Sequence, residues 1–496
     1  MNLPLTYGQC LRKIMQQNQL SVNTLSRKMG YRSATQLTRI LSDEVSPSLI
    51  TKFHHQFMLI FDWLISPAQI RELSTSLQYS CLGHDAFLTR RAMHRMLLSP
   101  VHQSLDAIPV HVHPEETTRM HTLSDLFDLA RTHESVDMLV LGSQYDTLLP
   151  MFAELINQPS QAGRMRIRHV FVMEEQPSQL ISQISALVPY LNMPAYSGAY
   201  CTQASPEICR LIQSNPVAIS RSRTPDGRVI TTLLTPPQKG GVSVCRLMDS
   251  DTLFTFYEQM LSSFVDHLRP IKSVYPWPKT VENLLTLCER DLFLEQNRSS
   301  CFVRLDFPFP VLPEEIVLSA VGQGECMGLA PDDPLMMELR RVHRARCAHM
   351  MNPSVPVTLI LSLPAIEEFM RTGHVSDHLF AMRNFTPEER RAILGGFIQA
   401  AKASEHLHVH VFADEKTAPI GCFTCYDGMG VQISANNTAY NIGENHSEVF
   451  VGLPAFADTF SAYCKNTLIP ELCLDEKETL RRLRALLDAS DALPTA

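Results

Sequence analysis

The first 62 residues carry apolar side chains at intervals of three and four positions. This spacing places the apolar side chains on one face of a helix, so it predicts short helices rather than strands. The predicted helices are Gln9–Gln17, Ser21–Met29, Thr35–Leu41 and Ser48–Phe61. Ser21 is a good N-cap, and Gly30 can close the second helix in the left-handed conformation. A short helix, a turn and a second short helix are therefore expected in domain 1–62.

The helical pattern continues after residue 62 and ends at the Ser99-Pro100 break. This stretch is more apolar than a solvated linker requires. We expect residues 63–104 to form a helical linker that packs on the N-terminal domain or on a second copy of the chain.

The pattern changes to alternating strands and helices from about residue 105. Val136–Gly142 and Ile167–Met173 are predicted strands, and Tyr145–Asn157 and Ser178–Leu187 are predicted helices. Strand-rich sequence follows and ends in the predicted helix Ser250–Leu268. A similar order returns between the predicted strand at residues 357–363 and the predicted helix at residues 454–468. These patterns predict a large α/β body with mixed sheets.

The two halves of this body end in a similar way. Asp251-Thr252 and Asp458-Thr459 each precede apolar residues of a predicted helix that follows a hairpin and a strand. We interpret this as an internal duplication, with α/β units at 105–272 and 273–496. The alternative is that Asp-Thr is simply a common way to cap a helix. The fold class predicted is thus multidomain, with an all-α helix-turn-helix N-terminal domain followed by two related α/β units.

Composition places the chain among folded proteins. Of the 496 residues, 45% are hydrophobic and 19% are charged, which argues against long disorder and coiled-coil arrays. The longest apolar stretches reach about a third of the roughly 20 residues that a membrane helix needs. We therefore expect no membrane span and a cytoplasmic location. The thirteen cysteines are interpreted as reduced and mostly buried.

The net charge of −8 conceals a basic N-terminal region. Residues 1–104 carry eleven lysine and arginine residues against five acidic ones, so the remainder has a charge of −14. A basic region on an acidic body suggests that the N-terminal domain contacts a polyanion.

The order Leu-Ser, Leu, Met-Gly, Leu, Arg-Ile and Pro-Ser between residues 20 and 48 resembles the Cro and phage-repressor (XRE) class of DNA-binding domains. Val22, Ser26 and a turn that is one residue longer depart from the usual pattern of that class. The resemblance implies a recognition helix in the major groove of double-stranded DNA. The residues that it places against the bases are Ala34, Thr35, Gln36, Thr38 and Arg39.

Each of these side chains suits a base edge. Gln36 can contact adenine through two hydrogen bonds, Arg39 can contact guanine, and Ala34 or the Thr35 methyl group can contact the thymine methyl group. Phosphate contacts are expected from a second group of residues. This group is Ser21, with its adjacent backbone amides, and Arg27, Lys28 and Arg32.

One recognition helix contacts only a few base pairs, so we expect a homodimer. A small-molecule effector that binds the body is a further candidate partner.

Complete catalytic motifs are absent from the sequence. There is no GxxxxGK[ST], HExxH or GxSxG motif and no His-x-Lys pair, and Pro331 and Pro334 interrupt the helix that would have to follow the glycine-rich segment 322–328. Two sets of histidines and one CxxC pair are interpreted as structural, so no cofactor and no metal are expected. These sets are His406, His408 and His410; His343, Cys347 and His349; and Cys422 and Cys425.

The sequence therefore predicts a sequence-specific DNA-binding transcriptional regulator whose body senses a ligand or forms the dimer. Two alternatives remain open. One is an enzyme of unknown chemistry that the same N-terminal domain tethers to DNA. The other is a protein-interaction module of a toxin–antitoxin or phage-defence system.

Overall fold

The computed structural model divides the chain into two compact units, Met1–Ala92 and Met93–Ala496. We call the first unit the head and the second the body. The residues that the structure describes are 4–31, 33–61, 65–98, 135–142, 165–191, 196–203, 205–214, 217–235, 243–271, 273–276, 280–304, 307–322, 332–373, 383–413, 422–434 and 447–490.

The described part of the head is helical, as its apolar spacing predicts. Its helices are α1 (Tyr7–Gln17), α2 (Val22–Lys28), α3 (Thr35–Leu41), α4 (Pro47–Phe61) and α5 (Pro67–Leu82), and α6 (His84–Leu98) begins in it. Thr6 and Ser66 start α1 and α5 with capping boxes, in which the hydroxyl and a glutamine three residues later satisfy backbone amides reciprocally.

Helices α1 to α5 share one hydrophobic core. Tyr7, Leu37, Phe57 and Leu73, from four different helices, belong to the same buried cluster. The backbone amide of Tyr7 also donates to the Ser80 hydroxyl at 2.7 Å. Helix α5, which lies in the predicted linker, thus packs within the core of the head.

The body contains two seven-stranded mixed sheets among its described residues, which confirms the predicted multidomain chain with an α/β body. The strands of the first sheet are β1 (Ser135–Leu141), β2 (Met165–Val172), β3 (Tyr196–Cys201), β4 (Val217–Arg223), β5 (Val229–Thr235), β6 (Ser243–Met248) and β7 (Arg269–Pro270). The strands of the second sheet are β8 (Ser273–Pro276), β9 (Ser300–Arg304), β10 (Val357–Leu361), β11 (Leu407–Val411), β12 (Cys422–Tyr426), β13 (Gly430–Ser434) and β14 (Ser447–Val451).

Six strands of each sheet have the same order and direction. In the first sheet, β1, β2 and β3 are parallel neighbours, and β4, β5 and β6 continue from β1 as antiparallel neighbours. In the second sheet, β9, β10 and β11 are parallel, and β12, β13 and β14 continue from β9 in the same antiparallel way. This shared topology supports the interpretation of two related units.

The outermost seventh strand differs between the sheets. Strand β7 pairs with β3, whereas β8 pairs with β14, at the opposite end of the shared order.

The helices of the body connect and cover these strands. They are α7 (Pro177–Leu191), α8 (Pro206–Ser214), α9 (Thr252–Ser262), α10 (Val281–Glu295), α11 (Glu314–Gly322), α12 (Pro334–Met351), α13 (Leu363–Thr372), α14 (Pro387–Ala403), α15 (Pro454–Tyr463), α16 (Ile469–Leu472) and α17 (Glu476–Ser490). The predicted helix Tyr145–Asn157 lies outside the described residues. Helices α10 and α12 pack together, as do α14 and α17.

The Asp-Thr pairs that suggested the duplication are not equivalent positions. Asp251 immediately precedes α9, but Asp458 lies in the middle of α15, so only one of the two pairs opens its helix. The helices themselves correspond, since each follows the sixth shared strand. Gly227 and Gly428 are a better pair of corresponding positions in the two sheets. They occupy the β4–β5 and β12–β13 turns, with φ of 84° and 71°.

Within the described part of the chain, no helix has both the length and the hydropathy to cross a bilayer.

Candidate functional site

The turn between α2 and α3 is held by backbone and side-chain hydrogen bonds. Gly30 adopts φ of 77°, the left-handed conformation expected for it. The buried Ser26 hydroxyl donates to the Ser33 carbonyl at 3.0 Å, and the amide of Tyr31 donates to the Ser26 carbonyl at 3.0 Å. Ser26, a departure from the usual pattern of the XRE class, therefore serves to fix the longer turn.

Helix α3 has one apolar and one polar face. Leu37 and Ile40 are fully buried in the core of the head, whereas Thr35, Thr38 and Arg39 are exposed. Ala34, at the N-cap position, and Gln36 are half-buried. The five side chains expected to contact bases thus lie outside the apolar cluster that contains Leu37.

Two of these side chains already make hydrogen bonds in the unbound head. The Thr38 hydroxyl donates to the Ala34 carbonyl at 3.0 Å. The Arg39 guanidinium donates to the backbone carbonyl of Glu44 at 3.2 Å. Arg39 must give up this exposed hydrogen bond before it contacts another group, at a cost of about 1 kcal/mol.

The residues expected to contact phosphates differ in their availability. Arg27 and Lys28 are exposed in the last turn of α2, where Lys28 lies 5.6 Å from the centre of the Phe61 ring. The Ser21 hydroxyl caps α2 by accepting from the Thr24 amide at 3.1 Å. Arg32 lies outside the described residues.

Helix α1 holds the C-terminal end of α3. Arg12 donates to the Leu41 carbonyl at 2.6 Å, which satisfies a carbonyl that the end of a helix leaves without a partner. The Asp43 carboxylate accepts from the Gly8 amide at 2.9 Å and from the Thr6 hydroxyl at 2.5 Å. These contacts fix the position of α3 and direct the Asp43 charge towards α1.

The histidines singled out in the sequence make ordinary contacts. His408 Nδ1 lies 2.7 Å from Glu476, His410 Nδ1 lies 3.1 Å from the Leu474 carbonyl, and His343 Nε2 lies 2.9 Å from the Leu312 carbonyl. Cys422 and Cys425 are three positions apart on β12 and so point to opposite faces of the sheet. Among the described residues, no three metal-ligating side chains converge.

A buried ionic cluster joins α10 to α12, and the sequence analysis missed it. Arg346 donates to Glu295 at 2.7 and 3.0 Å and lies 3.2 Å from Asp291, which also pairs with Arg290. Burial raises the pKa of Glu295, and Arg346 partly offsets that rise. The spacing of Asp291 and Glu295, four residues apart on a helix, was the signal available in the sequence.

Comparisons with known proteins include a distant likeness to a solved structure. No family model matches the chain, and no curated protein matches it. Among solved structures, the chain is similar to the crystal structure of phosphatidylserine synthase from Haemophilus influenzae Rd KW20, with 10% identity and a TM-score of 0.24. The match covers 82% of this chain and 99% of the other.

This finding overturns the expected function. The matched protein is an enzyme, so the prediction of a sequence-specific DNA-binding transcriptional regulator is wrong. A TM-score of 0.24 is too low to transfer a fold or an activity, so the chemistry of that enzyme is not assigned to this chain.

Proposed function

We propose that the head is a helix-turn-helix module and that its partner is double-stranded DNA. The observation that carries this proposal is the division of α3 between the buried Leu37 and Ile40 and the exposed Thr35, Thr38 and Arg39. A helix that enters the major groove needs short or hydrogen-bonding side chains on its outer face and an apolar inner face. Regulation of transcription is not part of this proposal.

Charge supports a polyanionic partner. Arg27 and Lys28 are exposed and adjacent, and Arg39 follows on α3. Asp43, an acidic residue just beyond α3, is engaged by Thr6 and Gly8. Basic side chains beside a groove-contacting helix are suited to bind phosphates and to set the orientation of the head on the duplex.

The expected roles of the α3 side chains follow from base chemistry. Gln36 suits the paired donor and acceptor of adenine, and Arg39, once released from Glu44, suits the two acceptors of guanine. Ala34 and Thr35 present methyl groups to thymine, while Thr38 offers a hydroxyl to either kind of base. We also propose that the chain binds as a homodimer, since one such helix contacts too few base pairs for a useful preference.

The proposal is tested by selecting bound duplexes from a random pool with the full chain. Gln36→Ala and Arg39→Ala should each relax preference at one base pair, at a cost of about 1–3 kcal/mol on the preferred site. Gln16→Ala removes a side chain of the same kind from the exposed face of α1 and should leave the selected sequence unchanged.

Leu37→Ala distinguishes the loss of a single base contact from a general loss of stability of the head. It empties part of the core of the head at a cost of about 2–5 kcal/mol, so it should weaken binding to every duplex. Failure of the wild-type chain to bind any duplex at low salt would refute the DNA partner. An identical selected sequence for the wild type and for alanine variants at residues 35, 36, 38 and 39 would refute the assignment of α3.

A further inference from the structure

We infer that the body holds a small, neutral, apolar molecule in a cavity of about 210 Å³ between helices α8 and α9. This inference is independent of the partner proposed for the head, because the described residues that line the cavity all belong to the body. The cavity provides a binding site for the candidate small-molecule effector of the body, and its lining indicates the chemical class of that effector.

The walls of the cavity are two apolar helix faces. Ile208, Leu211 and Ile212 lie on one face of α8, and Tyr257 and Met260 lie on the facing side of α9. Spacings of three and four residues on each helix bring these side chains together. Leu141, at the carboxyl end of β1, also lines the cavity.

Helix α9 is held against the first sheet by contacts of Phe254 and Glu258. Phe254, at its start, is fully buried under two arginines of the sheet, with Arg221 at 4.5 Å and Arg168 at 5.9 Å from the ring centre. Arg168 also donates to Glu258 at 2.6 Å. These contacts tie Phe254 and Glu258 to β4 and β2, while the face of α9 that carries Tyr257 and Met260 lines the cavity.

Helix α8 is held from the other side. The Sγ atoms of Cys209 and Cys201 lie 3.5 Å apart, and Cys209 Sγ donates to the Thr202 carbonyl at 3.1 Å. Both cysteines are buried. Since both helices are fixed to the sheet, the space between them is a built feature of the fold.

The lining determines the chemistry of the ligand. Among the described residues that line the cavity, none has a charged side chain, and the Tyr257 hydroxyl is their one side-chain polar group. An ionic ligand would lose its hydration without a compensating partner, which costs several kcal/mol. The site therefore selects neutral molecules, with the tyrosine as a candidate hydrogen-bonding group.

The volume limits the size of the ligand. A dry apolar cavity of about 150 Å³ accommodates benzene, and sites for drug-sized ligands begin at about 300 Å³. A cavity of about 210 Å³ thus suits one or two rings, or a branched aliphatic of similar size. Phe256 lines the same space and is 58% exposed, which gives the cavity an aromatic rim open to solvent.

Two fluorescent probes of the same shape test the site in the full chain. N-phenyl-1-naphthylamine is neutral, with a two-ring naphthyl group of the size that the cavity suits and a phenyl ring that can extend to the open rim at Phe256. The anionic probe, 8-anilino-1-naphthalenesulfonate, adds a single negative charge to the same framework. We expect the neutral probe to bind with one-to-one stoichiometry and at least ten times more tightly than the anionic probe. Equal affinity for the two probes would overturn the inference.

Two substitutions locate the bound probe. Met260→Trp places a larger ring in the cavity, and Met337→Trp makes the same change on the exposed surface of α12. Met260→Trp should weaken the binding of N-phenyl-1-naphthylamine at least tenfold, and Met337→Trp should leave it unchanged.

Phe256→Ser provides a second test that does not disturb the core, because this side chain is largely exposed. It should weaken the binding of the neutral probe several-fold. Unchanged affinity in Phe256→Ser together with unchanged affinity in Met260→Trp would show that the probe binds elsewhere and would overturn the inference.

Discussion

Arg346 on α12 and Glu295 on α10 form a two-point ion pair in which both side chains are buried. The pair joins two helices through charges that have lost their hydration. Each charge is therefore stabilised mainly by the other instead of by water. Removing one partner of such a pair is far more costly than removing an exposed charge.

Arg346→Met should therefore destabilise the body by about 3–5 kcal/mol, since it leaves the Glu295 carboxylate buried without its main partner. Urea denaturation followed by circular dichroism measures this loss. Arg344→Met is the matched control on the same helix, because Arg344 pairs with Glu314 but is 66% exposed. It should cost no more than about 1 kcal/mol. Similar losses of stability in Arg346→Met and Arg344→Met would show that burial does not set the cost of breaking these ion pairs.

Gly8→Ala should destabilise the head. A Cβ atom at Gly8 would lie 2.2 Å from the Leu41 carbonyl oxygen and 2.7 Å from that of Ile40, and backbone atoms cannot give way cheaply. We expect a loss of about 1–3 kcal/mol, measured as faster hydrogen exchange in peptides from α1 and α3.

Gly396→Ala is the control for Gly8→Ala. It makes the same change on α14, where a Cβ atom would meet no atom within 4 Å, so slower exchange in α14 is expected. Unaltered exchange in α1 and α3 of the Gly8→Ala variant would refute the close approach of α1 to α3.

Arg27→Ala and Lys28→Ala should each lower the salt dependence of DNA binding by about one unit in a plot of log affinity against log salt concentration. The reason is that each phosphate contact releases a counterion. Arg71→Ala removes the same charge from the exposed surface of α5 and should leave the slope unchanged. An affinity of the wild-type chain that does not depend on salt would exclude phosphate contacts by either residue.

Acidic pH should weaken the body through His169. Burial lowers the pKa of His169 to about 4, although the Gly142 carbonyl, which accepts from Nε2 at 3.0 Å, opposes the shift. Because Nε2 donates there, Nδ1 accepts from the Tyr196 hydroxyl at 2.9 Å. Between pH 6.5 and pH 4 the unfolded chain binds a proton that the folded chain does not. The stability contributed by neutral His169 is thus present above pH 6.5 and falls by about 3 kcal/mol as the pH approaches 4.

Urea denaturation at a series of pH values checks this contribution. His169→Gln should give a shallower loss of stability between pH 6.5 and pH 4, whatever its stability at pH 7. His267→Gln changes an exposed histidine and should keep the slope of the wild-type chain. If stability falls with pH equally steeply in the wild-type chain and in His169→Gln, His169 is not the cause of the loss at acidic pH.

The sequence was most informative where periodicity and capping agree. The four predicted helices of the head agree with α1 to α4 to within about two residues, since each combines an apolar stripe with recognisable ends. Strand β3 and helix α8 were missed. Strand β3 contains serine, glycine and alanine instead of an apolar run, and its pairing with β2 is a tertiary contact that local pattern does not encode.

The cavity could not be found from sequence for a related reason, and the spacing of Asp291 and Glu295 marks only the acidic side of the buried ion pair. Ile208, Leu211 and Ile212 have the spacing of an ordinary packed face, and only the distance between two fixed helices leaves space beside them. Arg346 lies in a helix with three other arginines, and nothing local distinguishes it from the exposed Arg341 and Arg344.

The two seventh strands lie almost next to each other along the chain. Strand β7 ends at Pro270 and β8 begins at Ser273, yet they border different sheets. Ile271, between them, is buried and donates from its amide to the Gly198 carbonyl at 2.9 Å. The strands on either side of this junction are thus each paired at the edge of a different sheet. A force that pulls on the border strand of one sheet therefore reaches the border strand of the other through only two residues of chain.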